Sequence, residues 1–175
     1  QAQYVSMGKI DRKGLRDYVA TLRLDANFSG IQAIGQLDWV PGEQRERHLA
    51  KMRHLGIGDY AIRPDGLREA YAPVVQREPY IGKNRAAFGF DAWSEPVRRL
   101  ALERARDSGM PAISGKVSLG MEAEPIQQAG FAMYLPIYAA GQPSETLLQR
   151  REHLIGWVSA AFQMDDLMAS LYGRL

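Results

Sequence analysis

The chain of 175 residues contains no cysteine. That excludes disulfides, thiolate metal sites and a cysteine nucleophile, and it leaves the redox compartment open. It also lacks any apolar run near the ~20 residues that cross a bilayer as a helix, and no signal peptide is recognisable. An excess of one charge is missing too. The 22 basic and 20 acidic side chains give a formal net charge of +2, so composition provides no electrostatic footprint for nucleic acid or a membrane surface. Only three histidines occur. His48 and His54 are too widely spaced for a helical metal pair and are expected at the surface, and His153 has no nearby partner. There is no Gly-x-Ser-x-Gly elbow. The stretch from Gly109 to Val117 fails as a phosphate loop: the glycines are one residue too far apart, Val117 replaces the magnesium-binding hydroxyl, and a strand follows where a helix is needed. No metal, cofactor or catalytic constellation is expected. A small hydrolase using Asp91 with a distant histidine would need a base within reach of a nucleophile, and no local spacing offers one.

What is present is a globular balance of 46% hydrophobic and 24% charged residues, enough for one substantial core or two small lobes sharing one. Leu15, Tyr18, Val19, Leu22 and Ala26 recur at helical spacing. Ile31 to Val40 alternates as a half-buried strand that Pro41 and Gly42 end, and Glu43 to Leu55 reads as a polar helix. Tyr60 to Arg63 and Ala70 to Gln76 read as strands, the second with Pro73 suited to an edge or a bulge. Phe131 to Tyr138 is apolar on both faces, as in a sheet covered on both sides. After the charged Arg150 to His153 comes a strand from Leu154 to Phe162, and Asp165 opens a last helix. Gly120 to Gln128 reads as a polar loop, and no repeat or linker is visible.

The organising stretch runs from Asn84 to Leu119 as strand, helix and strand. In Ala87 to Asp91 alternation puts Ala87, Gly89 and Asp91 on one face and Phe88 and Phe90 on the other. Two small residues and one carboxylate would floor a small-molecule pocket. Ser94 reads as the N-cap of the helix, Pro96 sits in its first turn and Gly109 stops it; Ala112 to Leu119 alternates again. Asp91 has two readings: a turn residue that accepts backbone N–H bonds, or a pocket carboxylate that accepts from a ligand.

The residues Glu78-Pro79, Asn84, Gly89-Phe90-Asp91, Ser94-Glu95-Pro96, Arg98-Arg99, Ala105-Arg106-Asp107 with Gly109, Ser114-Gly115-Lys116-Val117, Gly130-Phe131, Tyr134 to Tyr138 and Gly156-Trp157 resemble, in order and spacing, the CHASE domain. This is the extracytoplasmic sensor of cytokinin receptors, bacterial sensor kinases and nucleotide cyclases, and the resemblance spans roughly residues 15 to 171. It implies an α+β fold: an N-terminal stalk helix (1–30), then two PAS-like lobes built on antiparallel sheets. The distal ligand-binding lobe would span about residues 31–140, and a membrane-proximal lobe with the exit helix about 141–175. It further implies a periplasmic-side sensor of an inner-membrane receptor, homodimeric at full length, with membrane segments outside this chain. The output would be a histidine kinase or diguanylate cyclase, the domain itself not being an enzyme.

In the cytokinin receptors the aspartate matching Asp91 contacts the purine ring, and Ser114 falls near a ligand-lining hydroxyl. Tyr134, Tyr138 and Tyr71 would supply the aromatic wall over the Ala87 and Gly89 floor. Ala92-Trp93 and Glu95-Pro96 depart from the plant receptors, and an indole there changes the pocket's shape, so an adenine derivative is admitted but not implied. The rival expectation is a module that senses a partner protein without a small-molecule ligand.

Overall fold

The alternating stretches come together as one antiparallel sheet with helices on both sides. The computed structural model describes residues 12–28, 30–119 and 129–172. The first ten residues and the expected Gly120–Gln128 loop lie outside them. In chain order the elements are α1 (Arg12–Leu22), the single turn α2 (Leu24–Asn27), β1 (Ile31–Asp38), β2 (Val40–Pro41), α3 (Arg45–His54), β3 (Ala70–Tyr71) and β4 (Val74–Glu78). They continue with α4 (Lys83–Ala86), α5 (Pro96–Ser108), β5 (Ala112–Ile113), β6 (Val117–Ser118), β7 (Ala129–Tyr138), α6 (Leu147–His153), β8 (Leu154–Gln163) and α7 (Met164–Tyr172). The main sheet runs β4-β1-β8-β7-β5, with β6 also on β7, and β2 pairs β3 separately.

Register explains the core. Leu37 of β1 lies beside Trp157 of β8, which lies beside Pro136 of β7. On this face α5 lays down Ala101, Leu102 and Ala105, the apolar positions of its helical period. Trp93 and Trp157 each lie against Trp39, at ring separations of 4.9 and 5.9 Å, in edge-on arrangements that aromatic pairs favour. On the opposite face Leu15 and Val19 of α1 pack with Leu24, Ile31 and Ile34. A smaller core of Met52, Tyr60, Ile62, Tyr71 and Val75 lies under α3. Polar bonds also fasten α1: Arg12 donates to the Val75 carbonyl at 2.6 Å, and the Gln76 amide donates to the Arg12 carbonyl at 2.7 Å.

The α+β class and the antiparallel sheet are as expected. β8, assigned by sequence to a separate membrane-proximal lobe, instead lies between β1 and β7 at the centre of the sheet. The expected division near residue 140 has no counterpart there, because Trp157 shares its core with Leu37 and Trp93. Local corrections follow from hydrogen bonding. Glu95, not Ser94, caps α5, its two oxygens accepting from Val97 N and Arg98 N at 3.0 and 2.9 Å. Gly109 ends that helix with φ 71°, the left-handed stop expected. Tyr60–Arg63 makes a single bridge rather than a strand, and Ala70–Gln76 is split between β3 and β4. The charged run before β8 is α6, opened by a Thr146–Gln149 capping box. No helix among the described residues is long and apolar enough to cross a membrane.

Asp107 ties α5 to α6. Its oxygens accept from Arg151 at 2.7 and 3.0 Å and from Arg106 at 2.7 Å. The Arg151 bonds, aided by Arg106, hold the Asp107 carboxyl below the usual carboxylate range against a smaller opposing effect of burial. A depressed acid contributes stability above its unfolded value, about 3.9, and that contribution disappears as pH falls through the lower folded value. Asp107→Asn is therefore expected to flatten the loss of stability on acidification below about pH 4, read from urea midpoints of both proteins across that range. Equal slopes would show that the contact carries no linkage.

Candidate functional site

The segment expected as the pocket-floor strand is not a strand. Ala87 to Gly89 forms a turn, and Phe90 and Asp91 make isolated bridges to Arg63 and Pro73. Gly89 has φ +83°, and a Cβ there would stand 2.1 Å from the Ala61 carbonyl oxygen. The glycine is required by backbone approach, not by ligand space. Gly89→Ala is expected to cost about 2 kcal/mol or more, from the left-handed conformation and the displaced carbonyl together. Urea unfolding checks this; a change within experimental scatter would refute it.

Asp91 is fully buried, and its carboxylate is committed. Oδ1 accepts from Ala72 N at 2.7 Å and Trp93 N at 3.0 Å, and Oδ2 accepts from Arg68 Nε at 2.9 Å. Burial pushes this carboxyl above its ordinary range, opposed by the Ala72 amide and Arg68. Of the two readings of Asp91, this geometry is the turn cap. Arg68 also donates to the Pro64 carbonyl at 2.8 Å and lies over the Tyr71 ring at 4.8 Å. The Tyr71 hydroxyl donates to the Gly66 carbonyl and accepts from Arg68 N, at 3.0 and 2.9 Å. Asp91, Arg68 and Tyr71 thus close the 64–68 loop onto the core.

The other expected residues lie on the β5–β7 side. Ser114 stands in the break between β5 and β6, where its hydroxyl accepts from Ala132 N at 2.9 Å and donates to the Gly115 carbonyl at 2.8 Å. Tyr134 is buried on the α5 side of the sheet, and burial raises its phenol against the opposing effect of Arg98. Tyr138 donates to the Arg106 carbonyl at 2.5 Å, and burial pushes its phenol up to about 12. The structure therefore brings Asp91 to Tyr71, and Ser114 to the strand that carries Tyr134. It does not gather all seven around one space; Trp93 and Trp157 fill the sheet face between α5 and β8.

Sequence reasoning missed the charged groups on that face. Among the described residues, Arg77 of β4 makes one hydrogen bond, from Nε to Asn84 Oδ1 at 3.3 Å. Burial pulls its guanidinium down to about 10, with Arg98 lowering it further and Tyr134 opposing. Arg98 of α5 donates to the Ser118 carbonyl at 2.7 Å and lies over Phe90 at 5.4 Å. His48, expected at the surface, is buried: its Nε2 meets the Tyr60 hydroxyl at 2.9 Å and its Nδ1 lies 3.7 Å from Asp38. Strand alternation gave no signal for Arg77, because the irregularity of β4 opposite Gln36 and Leu37 sets Arg77 on the face of Val74 rather than that of Val75.

On the other side of the sheet, a groove of about 1010 Å³ is lined by Arg16 and Val19 of α1, Gln32 of β1, Glu78 of β4, and Asp166 and Ala169 of α7. Arg16 pairs with Glu78 at 3.4 Å, and the Gln32 amide donates to Asp166 at 2.8 Å. The first and last helices thus meet along one groove. α7 also crosses Gly30, where a Cβ would come within 3.1 Å of the Leu167 backbone.

Comparison with the curated proteins finds no match. A family model described as "CHASE domain" matches residues 8–175. With essentially the whole chain covered, this protein belongs to the CHASE domain family, the extracellular sensory domains of receptors.

Proposed function

We propose that this domain is the ligand-sensing part of a transmembrane receptor on the periplasmic side of the inner membrane, with a small molecule biasing the geometry of α1 and α7. The observation that carries this reading is the double attachment of β4. Its Gln76 and Glu78 bond to α1, while Arg77 between them faces the α5 side. A change at one face of the sheet is thereby felt by the first helix, and α7 meets the start of the neighbouring strand β1 at Gly30. A ligand acts through such a device only by binding two states with different affinity. In the full receptor the domain works as a homodimer, with membrane segments on either side and a histidine kinase or diguanylate cyclase as output. Tyr18, 46% exposed beside the buried Leu15 and Val19, is the residue of the α1 stripe that faces a second copy.

The test is a thermal-shift screen of purines, amino acids, organic acids and neutral metabolites. A compound that binds the folded state alone raises its melting temperature. It must also change the output of the full-length receptor. Adenine derivatives belong in the screen, although Asp91 meets them only after releasing one of its three donors.

A partner-sensing module is the second reading, favoured by the outer face of the sheet. Ile113 is 57% exposed there, and Met133, Leu135 and Ile137 are only partly covered. Leu135→Lys would abolish the receptor's response under that reading, and leave it intact if a small molecule bound on the α5 side is the input.

A further inference from the structure

We infer that the groove between α1 and α7 is a binding site for a small molecule carrying a primary ammonium group. This rests on the sensing reading and names its ligand class. The groove of about 1010 Å³ has Glu78 of β4 in its wall, and Glu78 decides what belongs there. Its side chain is 7% exposed. Oε1 takes both of its contacts, from Arg16 Nε and the Gln76 amide, and each is 3.4 Å long, beyond the range of a good N–H···O bond. Oε2 accepts no hydrogen bond among the described residues. The Arg16 side chain is 63% exposed, so solvent weakens the one ion pair that Glu78 makes. A carboxylate this deep is costly until stronger donors meet it.

Two further acceptors on α7 line the same groove. Asp166 takes the Gln32 amide on Oδ2 at 2.8 Å, and its Oδ1 has no bond among the described residues. Ser170 donates its proton to the Leu167 carbonyl at 2.8 Å, which leaves its oxygen able to accept. Gln32 links the two walls. Its side chain holds Asp166, and its carbonyl shares the Asn84 amide with the carbonyl of Pro79, the residue after Glu78. An ammonium has three N–H donors and no acceptor, the complement of these oxygens, and its bonds to carboxylates are charge-assisted. Ile81, 67% exposed at the rim, offers apolar cover to the carbon skeleton. Arg16 and Arg23 on the α1 wall would meet the carboxylate of an amino acid, so the plain amine and the amino acid are separate arms of the test. Either one, held between β4 and α7 beside α1, would fix the spacing of the two terminal helices. Leu135 does not line the groove, so Leu135→Lys spares this site as well.

Isoamylamine, leucine, N-acetylleucine and tetramethylammonium chloride are titrated at constant ionic strength, with melting temperature and calorimetric affinity as readouts. At least one amine of this set, or one amino acid of the wider screen, is expected to raise the melting temperature by several degrees. N-acetylleucine has lost the cation and tetramethylammonium has no N–H, so neither should do so. Glu78→Gln keeps an oxygen for Arg16 and should weaken amine binding at least ten-fold, the loss of one charge-assisted hydrogen bond. Should Glu78→Gln not fold, Asp166→Asn, which keeps an oxygen for Gln32, answers the same question from the α7 wall. Equal amine affinity in the wild type and the folded variant would overturn the inference, as would equal binding of tetramethylammonium or N-acetylleucine. If the only binders of the wider screen lack an ammonium group, this site fails and the sensing reading stands. No shift by any compound would remove both.

Discussion

Asp91→Ala is expected to cost about 3–5 kcal/mol of stability, the range for stranding one partner of a buried ion pair. Three donors lose their acceptor at once: the Ala72 and Trp93 amides and the Arg68 guanidinium. The site is fully buried, so water does not replace the carboxylate without opening the loop. Asp91→Asn keeps one oxygen for the two amides but turns an NH₂ group toward Arg68, and it should lose somewhat less. Arg68→Leu in the Asn background relieves that clash and recovers part of the loss. Urea unfolding of the three variants measures this. A loss below about 1 kcal/mol for alanine, the net worth of one ordinary hydrogen bond, would refute the cap. Asp91 also titrates in the opposite sense to Asp107. Its carboxyl is raised, so between the ordinary value and the folded one the native state holds more proton. Its contribution then falls as pH rises through that window.

Periodic signals made most of the fold legible. β7 alternates between half-buried and buried positions along most of its length, β1 and β8 do so only in part, and α5 carries both proline and glycine punctuation. Ala87 to Asp91 misled because five residues containing a glycine satisfy alternation equally well as a strand or as a turn; only the Ala61 carbonyl, far off in sequence, decides between them. Pro96 at the first helical position makes Glu95 the cap, a consequence that was readable beside the competing Ser94. The same holds for the Thr146–Gln149 capping box, whose spacing stands in the sequence. His48 looked exposed because its compensating groups, Asp38 and Tyr60, sit ten and twelve residues away.

The candidate site divides in the same way. Asp91 as a cap was legible from its position just before a helical turn. Arg77 and Arg98 look like ordinary surface arginines until the register of β4 with β1 turns one of them toward the other. No local pattern encodes that meeting, because it depends on four strands lying in a particular order.

Trp157→Ala is the second large effect expected, about 3–5 kcal/mol. Trp157 is fully buried at the centre of the sheet, edge-on to Trp39 and 6.2 Å from Trp93, with its indole N–H donating to the Leu102 carbonyl at 3.2 Å. Its removal takes away apolar burial and leaves a cavity that a sheet held on both faces cannot collapse. Trp157→Phe keeps most of the volume and loses the indole bond, so about 1–2 kcal/mol is expected, near the net value of one hydrogen bond plus a small void. Far-UV circular dichroism in urea is the suitable probe, because both variants remove a fluorophore. The cavity offers a sharper check. An apolar void stays dry and takes up a ligand of matching shape, so added indole should raise the melting temperature of Trp157→Ala and leave the wild type unchanged. A variant that loses 3–5 kcal/mol without responding to indole has repacked its core, and the rigid central β8 would then be the part of this account to abandon.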